Sequence, residues 1–118
     1  MVKALADPNT HYREGAAELL LGGGFFRSDS RPARDCSVLL AWHQASATTR
    51  EHSLQWLDLM AGCGIRGLRW GLEAASASPV PAEILVNDAD GDRRPLLEHN
   101  LRSVAAATCS SVSAERLL

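Results

Sequence analysis

Two short apolar runs in this chain have the length of β-strands, and each is followed by a helical pattern. Residues 54–60 and 83–87 are the apolar runs, and residues 65–75 and 92–107 repeat apolar side chains at helical spacing. Strands that alternate with helices are typical of βαβ units, in which the strands are parallel. We therefore predict an α/β fold with the order strand, helix, strand, helix.

The pattern before residue 54 predicts a hairpin and a helix. Residues 1–13 are polar, and we expect them to be frayed. Residues 15–26 contain Gly22-Gly23-Gly24, which predicts a hairpin that turns at these glycines, because three glycines in a row break a helix. Residues 31–45 predict a helix with Pro32 in its first turn. Its apolar side is predicted to consist of Ala33, Cys36, Leu39, Leu40 and His43.

These elements divide the chain into two segments. Residues 1–53 are the hairpin and helix segment, which ends in a polar linker. Residues 54–118 are expected to form the first βαβα part of an α/β domain that is cut short, and residues 110–118 have no clear period. The expected fold is the N-terminal portion of a Rossmann-like domain.

Composition restricts the function classes only mildly. The chain has 118 residues, of which 46% are hydrophobic and 22% charged, and its net charge is −2. It is long enough for one domain, and its charge gives no overall attraction to nucleic acid or to anionic membranes. Cys36, Cys63 and Cys109 are widely spaced, so we expect reduced thiols without a disulfide or a metal site. Without a signal peptide or a long apolar run, a cytoplasmic protein with no membrane contact is expected.

A glycine turn between the first predicted strand and helix suggests a nucleotide-shaped cofactor. Gly62, Gly64 and Gly67 match the spacing G-x-G-x-x-G, and Asp88 ends the next strand. Glycines let a ligand approach the backbone, and an acid at the next strand end can hold ribose hydroxyls. An NAD-dependent dehydrogenase is one candidate, and a strand-turn-helix without any ligand is another.

Two charges beside the turn favour S-adenosylmethionine. Asp58 lies inside the first strand, where it can reach the cationic aminoacyl end of that cofactor but would repel a pyrophosphate. Arg66 lies at the helix start, where a cation opposes the helix dipole unless an anion such as the cofactor's α-carboxylate pairs with it. A turn without a ligand explains the glycines but not the joint placement of Asp58, Arg66 and Asp88.

Four segments together resemble a known family. Glu14-Gly15, residues 25–35 (FFRSDSRPARD), residues 58–66 (DLMAGCGIR) and residues 86–90 (VNDAD) occur in that order. They resemble the N-terminal part of the tRNA guanine-26 N2-dimethyltransferases, which are class I S-adenosylmethionine-dependent methyltransferases. The resemblance extends over residues 14–101. It implies S-adenosylmethionine as the cofactor and tRNA as the partner of the complete enzyme.

The resemblance also implies roles for individual residues. Arg34 and Arg66 would hold the carboxylate end of the cofactor, and Asp88 would hold its ribose. The alternative for Arg34 is a solvated helix residue paired with Asp35 or Asp29. Asn87 would flank the adenosine together with Ala89. The predicted cofactor-binding residues are Arg34, Asp58, Gly62, Gly64, Arg66, Asp88 and Ala89, with no catalytic residue and no metal ligand.

The chain departs from the family after the second strand. The family has an Asp-Pro-Phe/Tyr-Gly segment whose acid grips the target amine, whereas here only Asp90 and Asp92 follow Asp88, and neither precedes proline. The later strands and the tRNA-binding domain are missing too. We expect a truncated sequence, a degraded copy or one part of a longer chain, which binds the methyl donor without turnover. The alternatives are a non-catalytic cofactor-binding module, a methyltransferase for another nucleic acid or a protein, and the NAD enzyme.

Overall fold

A computed structural model of the chain describes residues 10–113 and begins with an antiparallel hairpin. Strand β1 (His11–Glu14) pairs with β2 (Ala17–Leu20) across a two-residue loop. Gly15 comes first in that loop with φ 56°, as a type II′ turn requires. The hairpin predicted at Gly22-Gly23-Gly24 is therefore wrong in position. Gly22 instead has φ 71° and passes so close to Leu96 that a Cβ atom would lie 2.6 Å from its Cδ2.

The expectation of a frayed segment up to residue 13 is also wrong for residues 10–13. They are held by the pairing of β1 with β2 and by the bond that Leu21 N donates to Thr10 O. Residues 1–9 lie outside the described residues.

Helix α1 (Arg31–Ala47) follows a 3₁₀ turn at Ser28–Ser30 and confirms the predicted helix. Pro32 occupies its first turn as expected. The predicted apolar side is wrong, because the side chains that it comprises are exposed: Ala33, Cys36, Leu39, Leu40 and His43. The buried side consists of Arg34, Val38, Ala41 and Ala45. Ala41 and Ala45 are small and let this side of the helix pack closely, and a buried ion pair holds Arg34 on the same side. Leu39 and Leu40 therefore lie on the side that faces solvent.

Three parallel strands form the second sheet, in the order β3-β4-β5. Strands β3 (Leu54–Asp58) and β4 (Ala82–Asn87) confirm the two predicted strands. Strand β5 (Ala107–Ser110) was not predicted, and it begins at the last residue of the helix predicted over residues 92–107. It pairs with the free edge of β4, and main-chain bonds to that edge outweigh the helical preference of the alanines before it.

The helices that connect these strands also differ in length from expectation. Helix α2 (Ile65–Arg69) continues as a π-helical turn at Trp70–Ala74 and a 3₁₀ turn at Ala75–Ala77, which confirms a helical segment over residues 65–75. Helix α3 (Arg94–Asn100) follows a 3₁₀ turn at Gly91–Arg93 and is much shorter than the predicted residues 92–107.

Buried side chains from both halves of the chain form one core. Leu19 and Val38 belong to it, as do Ile84 and Leu97. The α/β fold class is confirmed: a parallel sheet with helices, joined by a small antiparallel hairpin. The other face of the parallel sheet, formed by Gln55, Leu57, Glu83, Leu85 and Thr108, is largely open to solvent.

Candidate functional site

The glycine turn joins β3 to α2 at the carboxyl end of the parallel sheet. Gly62 has φ 60° and Gly64 has φ 87°, conformations that disfavour other residues. A Cβ atom on Gly62 would meet nothing within 4 Å, so this part of the turn faces open space. A Cβ atom on Gly64 would lie 2.6 Å from Leu101 Cδ2. Gly62 thus leaves the backbone accessible, whereas Gly64 lets α3 pack beneath the turn.

Gly67 allows α2 to lie close to the sheet. A Cβ atom on Gly67 would lie 2.7 Å from Val86 Cγ2. The third glycine of the spacing therefore serves helix-strand packing, as it does in dinucleotide-binding folds.

Asp88 follows β4 and connects the second strand end to the turn. Its Oδ2 accepts a hydrogen bond from Gly62 N at 2.9 Å, and its Oδ1 accepts one from Asp90 N at 3.0 Å. The carboxylate stays partly exposed, and each of its oxygens can accept a further bond. The structure thus brings Asp88 and Gly62, both predicted site residues, into direct contact.

Asp58 and Arg66 flank the turn with opposite charges. Burial raises the pKa of the Asp58 carboxyl, the positive charge of Arg66 lowers it in part, and the negative charge of Asp88 raises it further. Arg66 is partly exposed, and within residues 10–113 it forms no ion pair. A guanidinium without an anionic protein partner can hold the carboxylate of a ligand.

Arg34 has partners that differ from both sequence interpretations. It is buried, and its Nε and Nη2 each donate to Glu14 carboxylate oxygens at 2.8 Å. Its Nη1 donates to Arg27 O at 3.0 Å, and its guanidinium carbon lies 4.8 Å from the centre of the Phe26 ring. Asp29 pairs with Arg27 and Asp35 pairs with Arg31 and Arg69, so neither surface pair of the alternative interpretation is formed. The predicted contact of Arg34 with a cofactor stays a prediction.

Glu14 is the centre of a buried ionic cluster that sequence reasoning missed. It accepts hydrogen bonds from Arg34, from Arg69 Nη1 at 3.0 Å and from the Tyr12 hydroxyl at 2.8 Å. Burial alone would raise the pKa of Glu14, but these bonds and both arginine charges outweigh it, so the pKa lies below its usual range. The available signal for Arg69 was its position four residues after Ile65, on the same side of the helix predicted over residues 65–75.

Arg69 extends this cluster to α1 and to the hairpin. It bonds Asp35 Oδ1 at 2.7 Å and both carboxylate oxygens of Glu73, at 2.7 and 3.0 Å. Glu73 in turn accepts from Ala16 N at 3.2 Å. The cluster therefore fixes the N-terminal segment to the helix that follows the glycine turn.

Asn87 supports the ends of all three parallel strands. Its fully buried side chain donates to Leu59 O at 3.0 Å and Val112 O at 2.9 Å, and it accepts from Ser110 Oγ at 2.7 Å and Val112 N at 3.0 Å. These bonds fill its hydrogen-bonding capacity. Ala89, the other residue expected beside an adenosine, is exposed.

Cys63 lies within the turn and is buried. Burial raises the pKa of its thiol, which disfavours the reactive thiolate. Cys63 is therefore a small packing residue of the turn. Over residues 10–113, no group of three or more His, Cys, Asp or Glu side chains is arranged to hold a metal ion. None of the helices in that range is both long and apolar enough to cross a membrane.

A cavity of about 580 Å³ adjoins this end of the sheet. One wall is formed by the loop Gly22-Gly23-Gly24 and another by Asp90, Asp92 and Arg93, which follow the end of β4. A Cβ atom on Gly24 would coincide with the Arg93 guanidinium. Gly22 and Gly24 therefore serve close packing here.

Comparison with known proteins finds likeness in structure. No protein-family model and no curated protein sequence matches the chain. One similar solved structure is Trm1 from Pyrococcus horikoshii in complex with S-adenosyl-L-methionine, with TM-score 0.60 and 25% sequence identity. A second is a SAM-dependent methyltransferase from Agrobacterium tumefaciens, with TM-score 0.63 and 16% identity, which is evidence for the fold alone.

The matches extend over most of this chain but only part of the others. The first covers 80% of this chain and 23% of the Trm1 chain, and the second covers 92% and 33%. The predicted resemblance to a tRNA guanine-N2 dimethyltransferase and to the methyltransferase fold is confirmed at the level of structure.

Proposed function

We propose that this chain binds S-adenosylmethionine and is the donor-binding part of a methyltransferase. The observation that carries the proposal is the group of Asp58, Arg66 and Asp88 around an accessible glycine turn at two adjacent strand ends. The likeness to Trm1, which was solved with that cofactor, supports it.

The charges of the site complement this cofactor. S-adenosylmethionine carries one carboxylate, one ammonium group and one sulfonium, so its net charge is positive. Two carboxylates and one guanidinium give the site the opposite sign. The pyrophosphate of NAD carries two negative charges, which Asp58 would repel.

Each residue has a defined role in this proposal. Arg66 holds the α-carboxylate, and Asp58 accepts hydrogen bonds from the ammonium group. Asp88 accepts hydrogen bonds from the ribose hydroxyls with the lone pairs that Gly62 N and Asp90 N leave free. Ala89 lies beside the adenosine, Gly62 keeps the backbone of the turn accessible to the cofactor, and Gly64 lets α3 pack beneath the turn.

The role of Arg34 in this proposal is indirect. Since Glu14 and two backbone carbonyls already use four of its five N–H donors, Arg34 shapes the segment before α1. A bidentate contact of Arg34 with the cofactor carboxylate would require an exchange of these partners.

For the acceptor we propose the exocyclic amine of a guanine in tRNA, from the resemblance and from the likeness to Trm1. The bound cofactor supplies a methyl group on a sulfonium, a good leaving group. Holding that methyl in line with the attacking nitrogen is then the main requirement, and this chain's residues fix the donor side. No residue that removes the amine proton is proposed within these 118 residues, and tRNA is the partner of the longer enzyme only.

Calorimetric titration of the chain with S-adenosylmethionine and with NAD tests the cofactor. We expect binding of the first alone. The variant Asp88→Ala should bind about tenfold more weakly, because it loses charge-assisted bonds to the ribose and the contact that holds Gly62. The matched control is Asp92→Ala at an exposed acid nearby, which should bind normally. Binding of NAD alone would refute the proposal.

Methyl transfer to unmodified tRNA tests the acceptor. We expect no turnover by the 118-residue chain, and turnover by a protein that also contains the family's Asp-Pro-Phe/Tyr-Gly segment. If that longer protein methylates another nucleic acid or a protein and leaves tRNA unmodified, then tRNA is not the acceptor. Cofactor binding without transfer by the longer protein would indicate a non-catalytic module.

A further inference from the structure

Asn100 ends α3 and carries a buried amide whose donors are both used. The residue is 3% exposed. Its Oδ1 accepts from Leu20 N at 3.0 Å, and its Nδ2 donates to Leu20 O at 2.7 Å and to Cys63 O at 2.8 Å. One side chain therefore connects the end of β2, the glycine turn and the end of α3.

The glycine turn depends on such outside contacts for its shape. Gly62 and Gly64 both have positive φ angles, and glycine rotates more freely than any other residue. From the side of β4, Asp88 holds the amide of Gly62, and Asn87 O accepts from Ala61 N at 2.8 Å. From the side of α3, Asn100 holds the carbonyl of Cys63, between the two glycines.

The same amide makes a paired contact with the hairpin. Leu20 offers both its N–H and its C=O to Asn100, as a partner strand would. Leu20 is the last residue of β2. The position of the hairpin is thereby coupled to the Cys63 peptide and so to the turn.

We propose that Asn100 is a positioning residue of the cofactor site, which holds the turn in its binding shape and couples that shape to the docking of the N-terminal hairpin. The cofactor in this inference is the one of the proposed function, on which the inference rests. Asn100 does not touch the cofactor in this assignment. It acts through the carbonyl of Cys63.

The informative variant is Asn100→Asp. Aspartate has the same shape and can still accept from Leu20 N, but at neutral pH it places a carboxylate oxygen against the carbonyls of Leu20 and Cys63. We expect affinity for S-adenosylmethionine to fall about tenfold, since two buried acceptors lose their donor. Amide hydrogen exchange of Gly62 and Gly64 should accelerate in the cofactor-free chain.

A matched control separates positioning from general loss of stability. Val38→Ala weakens the core on α1, which lies on another element. With urea added to bring both variants to equal stability, faster exchange at Gly62 and Gly64 and weaker binding should occur in Asn100→Asp alone. Equal exchange and equal affinity in the two variants would overturn the proposal.

The wild-type chain provides a test that does not depend on folding of a variant. The side-chain amide protons of Asn100 should exchange slowly with water and show scalar coupling across the hydrogen bond to the Cys63 carbonyl carbon. Their resonances should shift when S-adenosylmethionine is added. Fast exchange without coupling would overturn the positioning role. Slow exchange and coupling without any response to the cofactor would refute the cofactor assignment and leave the contact intact.

Discussion

At the scale of single residues, Asp58 is a proposed binding residue whose burial lowers the stability of the folded chain at neutral pH. Burial raises the pKa of its carboxyl, so the folded state disfavours the ionised form. Stability is therefore lost as the pH rises from the unfolded-state value of about 3.9 through the raised folded-state pKa. A ligand ammonium group would compensate this cost when bound.

The variant Asp58→Asn should reverse this balance. We expect its urea midpoint to exceed that of the wild type at pH 7 and the difference to disappear as the pH approaches about 4, because asparagine never ionises. Its affinity for S-adenosylmethionine should fall about tenfold. Urea titrations between pH 4 and 8 and calorimetry measure both quantities. A less stable variant at pH 7 would mean that Asp58 is stabilised by its neighbours.

The two turn glycines should respond differently to alanine. Gly62→Ala strains a positive φ angle but meets open space, so we expect a loss of about 1 kcal/mol. Gly64→Ala adds a clash with Leu101, so its loss should be larger by about 1–3 kcal/mol. Chemical denaturation measures both, and equal losses would contradict the packing of α3 beneath Gly64.

At the scale of elements, the Glu14 cluster joins the hairpin, α1 and α2. Glu14→Gln removes the one buried anion that Arg34 and Arg69 share, and we expect a loss of about 3–5 kcal/mol. The pKa of Glu14 is depressed, so its contribution is present above the unfolded-state value of about 4.3 and is lost as the pH falls through the folded-state pKa.

An exposed pair on the same hairpin provides the control for this prediction. Glu18 bonds Arg13 at 2.7 Å in solvent, so Glu18→Gln should cost less than about 1 kcal/mol. Thermal unfolding at pH 7 and at about pH 3, below the unfolded-state value, compares the two variants with the wild type. The loss of stability in Glu14→Gln relative to the wild type should be smaller at the lower pH. A loss that is equal at both pH values would show that the charge of Glu14 does not contribute to stability.

Elements that local patterns specify could be predicted from the sequence, and elements that depend on distant partners could not. Strands β3 and β4 and the turn at Gly62 follow from short-range spacing, and the contact of Asp88 with the turn follows from the rule for parallel strands. Strand β5 exists because β4 has a free edge, which no local pattern reveals. The buried side of α1 also depends on a distant partner, because Arg34 is buried in an ion pair with Glu14, and the local pattern therefore predicted the wrong side.

At the scale of the whole molecule, two tryptophans connect the N-terminal segment to the parallel sheet. Trp56 in β3 donates to Gln44 Oε1 at 2.8 Å, and Trp70 after α2 donates to Ser37 Oγ at 3.0 Å. Their ring centres are 6.1 Å apart. Both acceptors belong to α1, so these rings report on the packing of the two sequence segments.

This arrangement predicts a single unfolding transition for the chain. Residues 10–53 and 54–113 contribute to one core, so neither segment should keep its packing when the other unfolds. In a Trp42→Phe background, which removes the exposed third tryptophan, tryptophan fluorescence and far-ultraviolet circular dichroism should give the same urea midpoint. A fluorescence transition that precedes the loss of secondary structure would mean that α1 separates from the sheet first. The predicted boundary at residue 53 would then separate two folding units. The contact between the hairpin and the glycine turn of the cofactor site would be lost before the sheet unfolds.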